Sequence, residues 1–464
     1  MTESANAARP HVVIVGAGFG GLAAAKSLAR APVDVTIIDK RNYHLFQPLL
    51  YQVATADLSP ADVAWPIRSI FSSRANVRVL LGKVTGVDVD RRLVRADSLE
   101  VGYDHLVIAT GSHHSYFGKD AWASQAPGLK RIIDATEIRK RILLAFERAE
   151  TTEDADEQRR QLNFVIVGGG PTGVEMAGAI AELANWALAK DFNTINPRDA
   201  RILLVEGTDR LLGAFPEALS SYARRVLEKL GVEILLNTHV VDCSHEGAQV
   251  GDTFVPAATI IWGAGVTVPD VGGWLGIETD RAGRVPVRPD LSVEGHPEIF
   301  VIGDAAQVPW RNTLTVPGIA PAAKQGGRYV ADVIRAEAAG KPRPAPFKYR
   351  HFGNLATIGR HAAVIDFGRL RLKGWLAWWI WGVAHIYFLI GVRAPIIVAA
   401  QWFWAYLTFK KGARLITGLE PLFEHIEDAP ARTEPARGAS AGPAAPESAD
   451  TGVSDRKKAK GTEC

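Results

Sequence analysis

Residues 11–39 read HVVIVGAGFGGLAAAKSLARAPVDVTIID, and the fold turns on them. HVVIV is an apolar run of strand length, GAGFGG is a glycine turn, and residues 21–30 form an Ala- and Leu-rich helical segment. A second strand, 33–38, ends at Asp39. Strand, turn, helix and strand make a βαβ unit. Gly16, Gly18 and Gly21 fit GxGxxG. One glycine permits the tight turn, one lets backbone approach a pyrophosphate, and one lets helix pack on strand. The phosphates then meet free N–H groups and the positive end of the helix dipole. Asp39, at the end of the next strand, is placed to accept hydrogen bonds from a ribose.

The pattern then restarts. LNFVIV (162–167) is a strand, GGGPTG a turn in which Gly168, Gly170 and Gly173 repeat the spacing, and 174–183 a helix. The strand RILLV (201–205) ends at Glu206. A carboxylate there repels a 2′-phosphate and so favours NADH over NADPH, with Arg210 nearby to soften the preference. LVIATG (106–111) and TIIWGAG (259–265) close the two halves in parallel fashion, and EIFVIGD (298–304) returns the chain to the first. The expected fold is therefore α/β, with one Rossmann-like dinucleotide domain inserted in another. Two such units imply one held and one exchangeable dinucleotide, and hydride transfer between nicotinamide and flavin. By usual chain order FAD occupies the first and NADH the second; the residues alone do not fix that order.

The expected layout is a disordered 1–10, FAD domain at 11–149 and 286–341, linker at 150–160, NADH domain at 161–285, membrane-associating region at 342–426 and disordered tail at 427–464. The linker is expected because 150–160 is nearly all polar or charged. The helix before it is expected to begin at Asp134, with Glu137 completing a capping box. The tail is rich in Ala, Pro, Ser and Gly, with little to bury.

Across 464 residues, 47% are hydrophobic and the net charge is only +3, which gives no argument for a nucleic-acid partner. The first ten residues are small and polar, and the apolar run after them is too short for a secretory signal. The two cysteines, Cys243 and Cys464, stand far apart and have no neighbours at metal-ligand spacing. No metal site is expected. Disulfide reduction and sulfide oxidation, which need neighbouring thiols, are disfavoured, and a reducing cytosolic setting fits.

Residues 375–392 contain no Asp, Glu, Lys or Arg, and His385 is their one side chain of a type that titrates near neutral pH. As one helix they would extend about 27 Å, close to the hydrocarbon thickness of a bilayer. A second apolar run, 396–409, follows Arg393 and Pro395, and six of the 12 Trp fall between 375 and 404. That clustering suits an interfacial aromatic belt. Arg369, Arg371 and Lys373 precede the segment, and Lys410, Lys411 and Arg414 follow it. Basic flanks on both sides argue for a hairpin or in-plane insertion from Trp375 to Phe409, not a single crossing. The bland alternative is a buried contact in a homodimer. His385 reads more readily as a paired interior group than as a proton donor.

From about His11 to Leu419 the chain resembles the type II NADH:quinone oxidoreductases, single-subunit NADH dehydrogenases that do not pump protons. NYHLFQPLLYQVATADLSP (42–60) looks like the family's signature, with Ala56 where relatives often carry Gly. GGGPTGVE ends in Glu175, which in relatives lies near the flavin–nicotinamide contact. In IGD (302–304), Asp304 resembles the acid that binds the FAD ribityl chain. PGIAPAAKQGG (317–327) stands where relatives have two glutamines, but here Pro321 replaces the first and Gln325 alone remains to orient a quinone. The resemblance implies FAD contacts from Gly16, Ala17, Gly18, Phe19, Gly20, Gly21, Asp39, Lys40, Val84, Thr110, Gly111, Asp304, Ala323 and Lys324. It implies NADH contacts from Gly168, Gly170, Gly173, Glu206 and Gly265, with catalytic roles for Glu175 and Gln325. The implied partners are a membrane quinone and the lipid bilayer, at the cytoplasmic face of a cell inner membrane. Two other readings stay open: reduction of a soluble electron-transfer protein, and a slow-turnover, membrane-docked NADH sensor. The apolar segment counts against the first.

Overall fold

The computed structural model describes residues 9–311, 314–390, 393–408 and 412–417. The tail expected to be disordered, 427–464, and residues 1–8 lie outside them; Pro10 already joins the fold, its carbonyl accepting the Asp34 N–H at 3.0 Å.

Two sheets carry the two glycine turns, parallel throughout except for one antiparallel edge strand (Ser292–Val293) in the first. The first is a six-stranded sheet in the order β9 (Ser292–Val293), β10 (His296–Val301), β4 (His105–Ile108), β1 (His11–Val15), β2 (Asp34–Asp39) and β3 (Val77–Leu81). The second has the order β7 (Val232–Leu235), β6 (Arg201–Val205), β5 (Asn163–Val167) and β8 (Thr259–Trp262). Because β10 pairs in parallel with β4, the chain re-enters the first sheet after completing the second. One dinucleotide fold thus sits inside another. His113–His114 and Val266–Thr267, paired antiparallel, tie the outgoing and returning connections together.

The central strands are apolar throughout because both faces are covered. In β1, Val12 and Ile14 join one buried cluster, while Val13 and Val15 join the one on the opposite face. β5 repeats this, with Phe164 and Ile166 on one side and Val165 and Val167 on the other. Helix α1 (Phe19–Leu28) packs against α4 (Ala320–Ala338) so closely that a Cβ on Gly327 would lie 2.1 Å from the Gly20 oxygen. This contact brings the second half of the split domain onto the first turn.

Two local expectations are corrected. Helix α2 (Ile132–Thr151) begins two residues before Asp134, whose Oδ2 accepts the N–H groups of Lys130 (3.1 Å) and Arg131 (2.8 Å). Glu137 instead pairs with Lys140 and Arg141 along the helix. The polar stretch 150–160 is not an open linker. Most of it is helix, Thr151 ending α2 and Asp154 capping the turn Ala155–Gln161, and Glu150 accepts N–H groups of Asn193, Thr194 and Ile195.

After a three-stranded antiparallel sheet (Asn354–Thr357, Ala363–Asp366, Arg371–Gly374) come α5 (Trp375–Phe388) and α6 (Arg393–Thr408). The single helix expected over 375–392 stops at Phe388. At 14 residues it extends about 21 Å, and no helix among the described residues is long and apolar enough to cross a membrane. The inner faces of the pair are bound to the body. Trp381 is fully buried, stacks on Trp402 at 5.5 Å, and Trp402 donates its Nε1–H to Gln52 at 2.8 Å. The outer faces leave Trp375, Trp379, Tyr387, Ile396, Phe403 and Trp404 exposed.

Candidate active site

At the first turn Gly16 has φ +97°, and a Cβ on Gly21 would fall 1.9 Å from its carbonyl oxygen. Open space surrounds Gly18, and the N-terminus of α1 carries no side-chain cap. Its N–H groups are therefore left for a ligand. Asp39 braces the turn: Oδ2 accepts the Ala17 N–H at 2.6 Å and Oδ1 the Arg41 N–H at 2.8 Å. Burial raises its pKa against the pull of those bonds. Each oxygen keeps a lone pair for a ribose hydroxyl. His44 donates to the Ala17 carbonyl at 2.8 Å, and burial holds it neutral, with its pKa lowered to about 4.

Further along the same face, Asp304 accepts the Ser112 hydroxyl at 2.6 Å, and Lys130 donates to Ser112 at 2.7 Å. Burial lowers the Lys130 pKa, which Asp304 opposes. The Thr110 hydroxyl beside them is buried without a partner among the described residues. Gly111 follows at φ +67°. A Cβ on Gly20 would meet the Ala323 oxygen at 3.2 Å, so Ala323 lies directly under the turn. Val84 is buried in the same cluster as Ile38, and burial lowers the pKa of Lys40. An open cradle, an uncapped helix end and an orphaned hydroxyl fit a dinucleotide with a polyhydroxyl chain. Lys130, Ser112 and His44 were not singled out from sequence; Ser112 directly follows the ATG that was, and nothing local marks Lys130.

The second turn repeats the first. Gly168 has φ +103°, a Cβ on Gly173 would lie 1.8 Å from its oxygen, and the space around Gly170 is open. Glu206 accepts the Gly169 N–H at 2.5 Å and, through its other oxygen, the Thr208 N–H at 2.8 Å. Arg210 is turned to the Gly213 carbonyl. Gly265, at φ +69°, lies where a Cβ would strike the Phe117 ring.

Glu175 stands on α3 (Pro171–Glu182), enclosed by protein but opening onto a cavity of about 340 Å³. Tyr51, Gln52, Trp378, Trp381 and Trp402 also line it. Burial raises the Glu175 pKa to about 8, opposed by the N–H of Thr357. Ala56 has φ +62°, a left-handed conformation that glycine enters without strain. His385 donates Nδ1–H to the Trp381 carbonyl at 2.7 Å, and burial lowers its pKa to about 4, as suits an interior group.

Gln325, expected to orient a quinone, is hydrogen-bonded to the backbone of Arg350. Its Nε2 donates to the Arg350 carbonyl at 2.9 Å and its Oε1 accepts the Arg350 N–H at 3.0 Å. The amide is occupied in pinning the segment before the C-terminal sheet.

The model for the pyridine nucleotide-disulphide oxidoreductase family matches residues 10–335. The chain is 44% identical over 431 residues to the type II NADH:quinone oxidoreductase NdhA of Mycobacterium tuberculosis, covering 89% of this chain and 91% of that one. This chain belongs to the type II NADH:quinone oxidoreductases. A second enzyme of that family from M. tuberculosis, Ndh, is also 44% identical, over 88% of this chain and 90% of its own length. Among solved structures, NDH2 of Plasmodium falciparum in complex with NADH superposes with a TM-score of 0.79, covering 88% of this chain and 100% of that one. At 22% identity that likeness concerns the fold. Family membership agrees with the two dinucleotide turns; Cys243, the one cysteine among the described residues, is buried, and burial pushes its pKa up to about 12.

Proposed function

We propose that this chain oxidises NADH and reduces a membrane quinone, using FAD and without pumping protons. The observation that carries the reading is the pair of complete glycine turns, each braced by its own acid, in a chain 44% identical to named NADH:quinone oxidoreductases. FAD is assigned to the first turn, with Gly16–Gly21, Asp39, Thr110, Gly111 and Asp304 as its holders. NADH is assigned to Gly168, Gly170, Gly173, Glu206 and Gly265. FAD supplies the carrier that accepts a hydride and returns electrons in a separate step. The protein positions the partners and excludes water. Glu175, neutral at physiological pH when buried, supplies a proton-bearing carboxyl beside that contact.

The exposed aromatic faces of α5 and α6 support docking in the plane of a membrane, on the cytoplasmic face of a cell inner membrane. Trp and Tyr at such a surface favour the headgroup region. The domain limits 11–149 with 286–341, and 161–285, belong to this same reading. Steady-state assay of flavin-replete protein with NADH and a short-chain quinone tests it. Rapid turnover is expected. Turnover with a ferredoxin and none with quinone, or a long-lived reduced complex, would sink it.

A further inference from the structure

We propose that Lys324 is the residue that meets the quinone carbonyl in this chain and gives it a proton. The inference rests on the quinone-reductase reading. Lys324 lies in the first turns of α4, directly after Ala323 under the first glycine turn. Its Nζ is 5.2 Å from the ring centre of Phe19 and 4.8 Å from that of Phe388. Phe19 opens the helix that follows the turn; Phe388 closes the helix whose outer face is exposed and apolar. The ammonium thus stands between the glycine turn and the end of the helix with the exposed apolar face.

The neighbourhood leaves this group unsatisfied. Among the described residues no carboxylate pairs with Lys324, and Nζ makes no hydrogen bond. The charged groups about it are Lys26 on α1 and Arg328 one turn along α4, both cations. His44 is close but neutral, its Nδ1–H given to Ala17. His385, beyond Phe46 on α5, has its Nδ1–H committed to Trp381, which leaves Nε2 without a proton. Pro321 has no donor, and the amide of Gln325 is taken by Arg350. Lys324 thus places a charged donor between Phe19 and Phe388 where Pro321 offers none and Gln325 has one Nε2–H committed to Arg350. Burial, then Arg328 and Lys26, lower its pKa to about 8, near the range where a general acid works at physiological pH.

The proton count leaves one proton for such a group to relay from water. Reducing a quinone to a quinol takes two electrons and two protons, and NADH brings two electrons and one proton as hydride. The remaining proton leaves Nζ as the quinone O–H bond forms. The neutral amine then recovers a proton from water.

The test uses full-length, FAD-loaded protein carrying Lys324→Met or Lys324→Arg. Stopped-flow measurement separates flavin reduction by NADH from reoxidation by a short-chain quinone across pH 6–10, about two units either side of the lowered pKa. With Lys324→Met, reoxidation should slow by about a hundredfold. Native reoxidation should fall as pH rises through about 8, where the ammonium is lost. Lys324→Arg keeps the charge but holds its proton, so quinone affinity should return while that pH dependence does not. A Met variant reoxidised at the native rate with the native pH profile overturns the inference. Loss of flavin, or equal slowing of reduction by NADH, overturns it too, by making Lys324 a cofactor ligand. A native protein that quinone fails to reoxidise overturns the function itself, and the inference with it.

Discussion

Replacing Gly173 with Ala should weaken nicotinamide binding roughly thirtyfold or more while leaving the flavin in place. A Cβ there would lie 1.8 Å from the Gly168 carbonyl oxygen and 3.0 Å from its carbon. The oxygen must therefore retreat by roughly 1.5 Å to reach ordinary van der Waals separation. It has little freedom to do so. Gly168 N–H is bonded to the Val205 carbonyl at 2.8 Å, the Gly169 carbonyl accepts the Leu212 N–H at 2.8 Å, and Gly169 N–H is held by Glu206. Opening the turn breaks one or more of these bonds, each worth about 0.5–1.5 kcal/mol. Overpacking strain adds about 1–3 kcal/mol. A total of roughly 2–4 kcal/mol corresponds to a thirtyfold to thousandfold loss of NADH affinity. The assay is flavin bleaching by NADH at increasing concentration, with FAD content measured on the same sample. The matching variant, Gly21→Ala, meets the Gly16 oxygen at 1.9 Å and should lose FAD instead. If Gly173→Ala is reduced by NADH with native affinity, the second turn is not the nicotinamide site.

Glu206→Ala should raise the NADPH-to-NADH preference about tenfold or more by removing the repelling carboxylate, read from the ratio of kcat/KM values; an unchanged ratio refutes the role. Glu175→Gln should alter the pH dependence of stability. The folded-state pKa, about 8, lies above the usual carboxyl value of 4.5, so the native contribution is complete below about 4.5 and is lost as pH rises through 8. The Gln variant should match the native Tm near pH 5 and exceed it near pH 9, a stability gain of about a few kcal/mol at most because the carboxyl opens on a cavity; parallel Tm curves would count against the burial argument. Trp381→Ala removes a fully buried ring and should cost about 3–5 kcal/mol, loosening α5 and α6 from the body. Faster limited proteolysis after residue 374 and weaker sedimentation with vesicles would follow, whereas native behaviour in both would show that the ring does not fasten the pair.

The glycine turns were legible because their spacing is local: Gly21 meets the backbone of Gly16 and Gly173 that of Gly168, whereas the backbone of Ala109 and Gly263 that crowds Gly16 and Gly168 comes from distant strands. Asp39 and Glu206 followed from strand length, since each must end the neighbouring strand of a βαβ unit. The insertion of one fold in the other was also legible, from the recurrence of strand, turn and acid. The helix start at Ile132 and the helical character of 155–161 were less so, because a polar run and an acid near a helix end suit several registers. The C-terminal segment exposed its composition but not its break at Phe388.

Sequence by itself determined the two nucleotide folds and the insertion of one in the other, because each rests on a strand–turn–helix pattern between near neighbours. Only the tertiary structure decided what faces what. Gln325 is spent on Arg350, Lys130 reaches Asp304 through Ser112, and Lys324 stands between Phe19 and Phe388. These pairings join segments far apart in the chain. Their partners are set by how sheets and helices stack, and no local periodicity encodes that.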